Sequence, residues 1–317
     1  MTADPQPAPS PGDTAPGDTA PGDPACALPE LDLTALPGVE FSALAFDIDT
    51  GTTLFSHAPE RVLSTASIAK IFLLHATLRM VERGELSLDE RLRRRPSERV
   101  DESGLWYLLQ QDTLSVFDVG MLIGAFSDNF GTNVLLRRVG LDRVAASAAE
   151  LGYTDSALHD FLRWPRPAGA PDRLSSGTAA EIADFMARLA RDELFDAALS
   201  EVLRRWLGAG ADTSMVASAF EPDPLAHYYY TRGAWVWNKT GTDSTVRCDA
   251  GVAMTRQQRV AYAVFANWEP DTDRVLEVMP LMRRAGQIIG AYLQPEIYGG
   301  AGSRSAGPAG TDEGGPT

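Results

Sequence analysis

WNKTG, residues 237–241, contains one of only two lysines in the chain, and the reading of that lysine decides the fold. The other is Lys70, in STASIAK, residues 64–70, and every remaining basic side chain apart from the histidines is an arginine. A guanidinium stays protonated inside a protein, whereas an ammonium is a compact charge that can lose its proton when buried. The two lysines therefore mark places where one of those properties is needed. Around Lys239 the stretches GAWVWNKTG, VRCDAGVAMT and QRVAYAVFANW are β-rich with turn residues between them, which predicts an antiparallel meander.

The same sheet is expected to begin far upstream. In EFSALAFDIDTGTTLFSH, residues 40–57, an apolar run, the turn signal DTG and a Thr-rich run predict a β-hairpin. SIAKIFLLHATLRMVERG follows, apolar on most faces and ending at Gly84, and it reads as a buried central helix with Ser67 and Lys70 in its first turn. The middle of the chain is helical by pattern, with capping boxes expected at Ser115/Asp118 and Thr178/Glu181 and a helix end at Gly140. LHDFLRWPRPAGAPDR carries three prolines and reads as a long surface loop. DRVLEVMPLMRRAGQIIGAYL has apolar residues in helical spacing and supplies the last helix. The fold class is thus α/β, an α+β sandwich. A five-stranded antiparallel sheet built from both chain ends is covered by helices, with an all-α subdomain inserted at about residues 85–232.

The ends are different in kind. Residues 1–27 are rich in Pro, Gly, Asp and Ala with PGDTA twice in tandem, and residues 297–317 read alike, so both are expected to be disordered around one domain at 28–296. The net charge of −15 is spread along the chain and argues against nucleic acid or an anionic membrane as partner. RLRRRP, residues 91–96, is the basic exception and reads as a solvated helix end. Two cysteines, Cys26 and Cys248, make no disulfide framework. With no export signal the chain is cytoplasmic as written, and secreted if its N-terminus is misassigned. A monomer is expected.

Ser67 and Lys70 lie three positions apart, so a helix puts them on one face within reach of each other. That spacing suits a nucleophile and its base, because a serine hydroxyl attacks only when a neighbour takes its proton. A third element, Ser127-Asp128-Asn129, closes a predicted helix. Ser-x-x-Lys, Ser-Asp-Asn and Lys-Thr-Gly in this order resemble the class A β-lactamase and penicillin-binding serine hydrolase family, across roughly residues 39–292.

The resemblance implies that Ser67 attacks the carbonyl of a β-lactam or related acyl compound with Lys70 as base. Ser127 would relay a proton to the leaving nitrogen, and Asn129 would bind the substrate amide and steady Lys70. Lys239 and Thr240 of Lys239-Thr240-Gly241 would hold the substrate carboxylate, and the amides of Ser67 and Thr242 would form the oxyanion hole. Trp106 lines the entrance in this reading, Arg247 supplements the carboxylate site, and Asp128 is structural. No metal or organic cofactor is implied.

The resemblance breaks at deacylation. The family carries Glu-x-x-Leu-Asn on a loop after the helical insertion, and that glutamate activates the water that frees the acyl group. Here Leu162 stands near its place, followed by Arg163, Trp164 and Pro165. Asp160 is the candidate substitute, with Asp172 and His159 as further candidates. The family's N-terminal helix also reads as reduced to LPELDLTALPG. The expectation is competent acylation with slow turnover. The alternatives are an esterase or D-alanyl-D-alanine carboxypeptidase-like enzyme, or a protein that binds β-lactams covalently without turnover.

Overall fold

The computed structural model describes residues 30–222 and 233–298. The expected disordered leader, residues 1–27, lies outside these residues, as do residues 28–29 of the expected domain and 299–317 of the expected tail. Strands β1 (Val39–Asp47) and β2 (Thr53–His57) form the expected hairpin, its turn fixed by Asp47 Oδ1, which accepts from the amides of Asp49 and Thr50. β8 (Trp235–Asp243), β9 (Val246–Met254) and β10 (Arg259–Trp268) form the meander. All neighbours are antiparallel in the order β2-β1-β10-β9-β8, so the first strand pairs with the last and β8 is an edge.

The sheet is buried on both faces, and strand alternation divides it cleanly. Along β10, Ala261, Ala263 and Phe265 join one core, while Val260, Tyr262, Val264 and Ala266 join the other. The second core is closed by helix α7 (Val275–Leu293), and Leu33 adds to it, although residues 30–38 form no helix. The first core is built on α1 (Lys70–Glu82), nearly all of whose residues are buried, as its continuous apolar run predicts. Two short strands, β3 (Leu63–Ser64) and β7 (Ser175–Gly177), pair beside α1, and β6 (Ala157–Leu158) joins β7.

Between α1 and the meander lie α2 (Val116–Phe126), α3 (Asn129–Val139), α4 (Leu141–Glu150), α5 (Ala179–Ala190) and α6 (Ala197–Gly208). The Ser115 cap is present, with the Asp118 amide donating to Ser115 Oγ and that hydroxyl donating to Asp118 Oδ2. At Thr178 only half of the expected box forms. The Glu181 amide donates to the threonine hydroxyl, but the glutamate side chain accepts from Thr154 and Asp155. A short helix, α8 (Pro295–Tyr298), follows α7.

RLRRRP is not a helix end. Residues Arg91–Arg93 form strand β4, paired with β5 (Thr113–Ser115), and Arg95 caps a 3-10 turn at Pro96–Glu98. Leu92 is the reason: it is buried between exposed arginines, a period of two that charge alone conceals.

His75, on the buried face of α1, bonds Ser147 Oγ through Nδ1, and its Nε2, between Phe185 and Phe195, is buried without a partner among the described residues. Burial, with smaller contributions from Arg79 and Arg188, depresses its pKa to about 3. The unfolded chain takes up a proton near pH 6.5 that folded His75 refuses, so this contribution to stability is complete above pH 6.5 and fades as the pH falls toward 3. In His75→Gln, the loss of urea-unfolding free energy between pH 7 and pH 4 should shrink by about 3 kcal/mol. An unchanged loss would mean that other groups carry the acid sensitivity.

Candidate active site

The chain reaches Ser67 through β3 and a 3-10 turn, Ala66–Ala69, that runs directly into α1. Ala66 holds φ at +46°, a sparsely populated region for a residue with a side chain. The edge strand β8 presses against this turn, and Gly241 permits the approach, since a Cβ there would stand 2.2 Å from the Thr65 carbonyl oxygen. The Ser67 turn and the Lys-Thr-Gly strand are therefore packed backbone to backbone.

Ser127 ends α2 in the left-handed region, φ +54°, which turns its carbonyl inward. Lys70, 1% exposed, is held beneath it. Its Nζ donates to Ser127 O at 2.6 Å, Ser127 Oγ at 3.2 Å and Asn129 Oδ1 at 2.8 Å, which matches three donors with three acceptors. Burial first, and Lys239 second, pushes the Lys70 pKa well below the ordinary lysine range, with Asp128 opposing. Asp128 has no exposed surface, and its carboxylate accepts from the amides of Leu105, Trp106 and Gly131, each at 2.7 Å. It pins the loop before α2 to the start of α3, and so fixes both of its neighbours, Ser127 and Asn129.

Lys239 is also buried and donates to the Thr240 carbonyl at 2.7 Å. Its pKa falls to about 8 because burial outweighs the opposing fields of Asp212 and Asp249. Ser67, Ser127, Asn129, Lys239, Thr240 and Thr242 line one cleft of about 500 Å³, with Lys70 packed under Ser127 and Asn129.

Trp106, Arg247, Gly241, Asp160, Asp172 and His159, also singled out from the sequence, lie outside the lining. Trp106 does not line the entrance: it has no exposed surface, packs on Phe130 and donates Nε1–H to Gln111 O. Arg247 turns away from the cleft, donating to the carbonyls of Asp243 and Val246 and lying over the Trp268 ring. Gly241 is buried behind the lining as a spacer. Asp160 is outside the lining and 5% exposed, with Oδ1 taken by the Phe161 amide and Arg163 and with Oδ2 unpartnered among the described residues.

Leu162 is clamped at both ends of its backbone by Asn133, whose Oδ1 accepts from its amide at 2.9 Å and whose Nδ2 donates to its carbonyl at 2.7 Å. Asn133 stands four positions after Asn129 on α3, about one helical turn along the same face. The loop residue is thereby tied to α3 one turn beyond Asn129, which lines the cleft.

Sequence reasoning missed Asp212 and Glu102, which also line the cleft. Both sit in turns without periodic neighbours. Asp249 was equally overlooked, although an aspartate within an apolar strand was a signal. Buried on β9, it accepts from Asn238 Nδ2, Tyr262 Oη and the Ala217 amide, and burial raises its pKa to about 7. It anchors the residue before Lys239.

The model of the beta-lactamase enzyme family matches residues 30–293. Among solved structures, the β-lactamase from Sphaerobacter thermophilus DSM 20745 superposes with a TM-score of 0.70 at 26% identity, over 81% of this chain and 94% of that one. The class A β-lactamase from Mycobacterium abscessus gives 0.67 at 20%, covering 80% and 94%. The L158E mutant of PBP-A, an acyl-enzyme complex with penicillin G, gives 0.67 at 21%, covering 81% and 93%. No curated protein matches. Among the described residues no helix is long and apolar enough to cross a membrane. With nearly the whole described chain matched and the five-stranded fold shared, this chain belongs to the beta-lactamase enzyme family.

Proposed function

We propose that the protein is a serine hydrolase that forms an acyl-enzyme on Ser67 with β-lactam amides or related acyl compounds and releases the acyl group slowly. The observation that carries this reading is the convergence of Ser67, Ser127, Asn129 and Lys239 on one cleft over a buried Lys70 of lowered proton affinity. Neutral Lys70 takes the proton of Ser67 as Oγ attacks the carbonyl. The Ser67 and Thr242 amides receive the developing oxyanion, each worth roughly 3 kcal/mol of barrier. Ser127, bonded to Lys70, passes the proton to the leaving nitrogen as the amide bond breaks. Lys239, Thr240 and Thr242 hold a carboxylate on the substrate.

Leu162 supports slow release and favours a second reading, a penicillin-binding protein with a long-lived adduct. A leucine takes no proton from water, and the acids that line the cleft among the described residues, Glu102 and Asp212, come from other loops. Incubation with a chromogenic cephalosporin, a nitrophenyl ester and a penicillin, followed by colour and intact mass, tests both. A fast burst and a stable adduct mapped to Ser67 support slow turnover, and rapid penicillin hydrolysis without a burst overturns it.

The Lys239 ammonium attracts a carboxylate only while protonated. With its pKa near 8, acylation by a carboxylate-bearing β-lactam at low concentration should fall about tenfold per pH unit above pH 8. A neutral ester, lacking the carboxylate, should show no such limb in the same stopped-flow series. A shared limb would place the titration elsewhere.

A further inference from the structure

We propose that the arginine-lined cleft around β4 is a binding site for a short oligophosphate, a ligand of the di- or triphosphate class. The cleft has a volume of about 780 Å³ and lies between β4, Tyr107 and α3. Because Leu92 points into the core, Arg91 and Arg93 emerge on the opposite side, and the extended backbone at Arg95 continues the series. Residues two apart on a strand are spaced by roughly 6.6 Å, so the three arginines leave the backbone along one line.

The charge balance of the cleft is uneven. Arg94 pairs with Asp112, Arg99 with Asp101, Arg137 with Glu98 and Arg138 with Glu90, which accounts for the nearby carboxylates. Arg91 donates to the Thr113 carbonyl and the Arg95 amide donates to Glu98, but among the described residues no ion pair engages the guanidinium of Arg91, Arg93 or Arg95. Three unneutralised cations thus stand in a row in a chain of net charge −15. Their mutual repulsion is relieved by a ligand with anionic groups in sequence, and the planar fork of arginine suits phosphoryl oxygens. The overall negative charge repels a long polyanion, but a short one inside the cleft feels chiefly the charges within a screening length of about 8 Å.

The site is independent of the chemistry at Ser67. Calorimetric titration of the full chain near 0.15 M salt with inorganic tripolyphosphate, orthophosphate, citrate and a hexaglutamate peptide tests it. Saturable 1:1 binding of tripolyphosphate is expected, tighter than that of the other three. Arg93→Gln/Arg95→Gln should weaken it by about tenfold or more, while Arg93→Lys/Arg95→Lys recovers part of the loss and Ser67→Ala and the remote Arg284→Gln leave it unchanged. Both arginines are exposed and free of ion pairs, so the folded state should survive, as an unchanged unfolding midpoint would show. Absence of saturable binding, equal loss in Arg284→Gln, or tighter binding of citrate or hexaglutamate overturns the proposal.

Discussion

Lys70→Arg should slow acylation of Ser67 by about 10²- to 10⁴-fold, the span over which a positioned base accelerates proton transfer. Arginine keeps the positive charge that Ser127 and Asn129 surround, yet it cannot give up its proton to become a base. The substitution therefore separates charge from basicity. The Lys70 site is tight, with 1% of the residue exposed and all three donors used, so the larger guanidinium brings a packing cost. Lys70→Met is the companion variant, close in length and uncharged, and it should lose acylation to a similar degree. The rate is read from the growth of the penicillin adduct by intact mass, beside an unfolding curve for each variant. A folded variant of either kind that acylates within a few-fold of the parent rate would remove Lys70 from the proton path and leave its role structural.

The sheet was legible because three kinds of signal agreed in it. Apolar and β-rich runs marked the strands, DTG marked the hairpin turn, and the apolar run of α1 announced a helix buried on most faces. The two cleft lysines were legible for another reason: lysine is so scarce here that each one stands out. What stayed hidden depends on tertiary neighbours. Trp106 reads from sequence as an aromatic at a cleft mouth, but the Asp128 carboxylate draws its backbone amide inward and commits the ring to Phe130. Arg247 faces sideways because two carbonyls at the hairpin end and the Trp268 ring compete for it. Asp212 and Glu102 come to the cleft from loops whose course no periodicity describes. β4 was masked by its arginines, whose charge drew the eye from the single buried leucine between them.

Leu162→Glu should shorten the lifetime of the penicillin adduct by about 10²- to 10⁴-fold, with little change in the rate at which the adduct forms. Asn133 holds the backbone of residue 162 from both sides, so a new side chain starts from a fixed point about one turn along α3 from Asn129. At 6% exposure a carboxyl is poorly solvated there, which raises its pKa toward the range where a carboxylate is a useful base. Leu162→Gln has nearly the same shape without the basicity and should leave the lifetime unchanged, which guards against an effect of loop loosening. Asp160→Asn should also leave it unchanged, because that carboxylate is spent on the Phe161 amide and Arg163 and stands outside the cleft lining. Decay of the adduct mass after removal of free penicillin measures all three. If the glutamate variant folds and acylates yet holds its adduct as long as the parent, the leucine is not what slows release. A lengthened lifetime in Asp160→Asn would instead identify that aspartate as a working base.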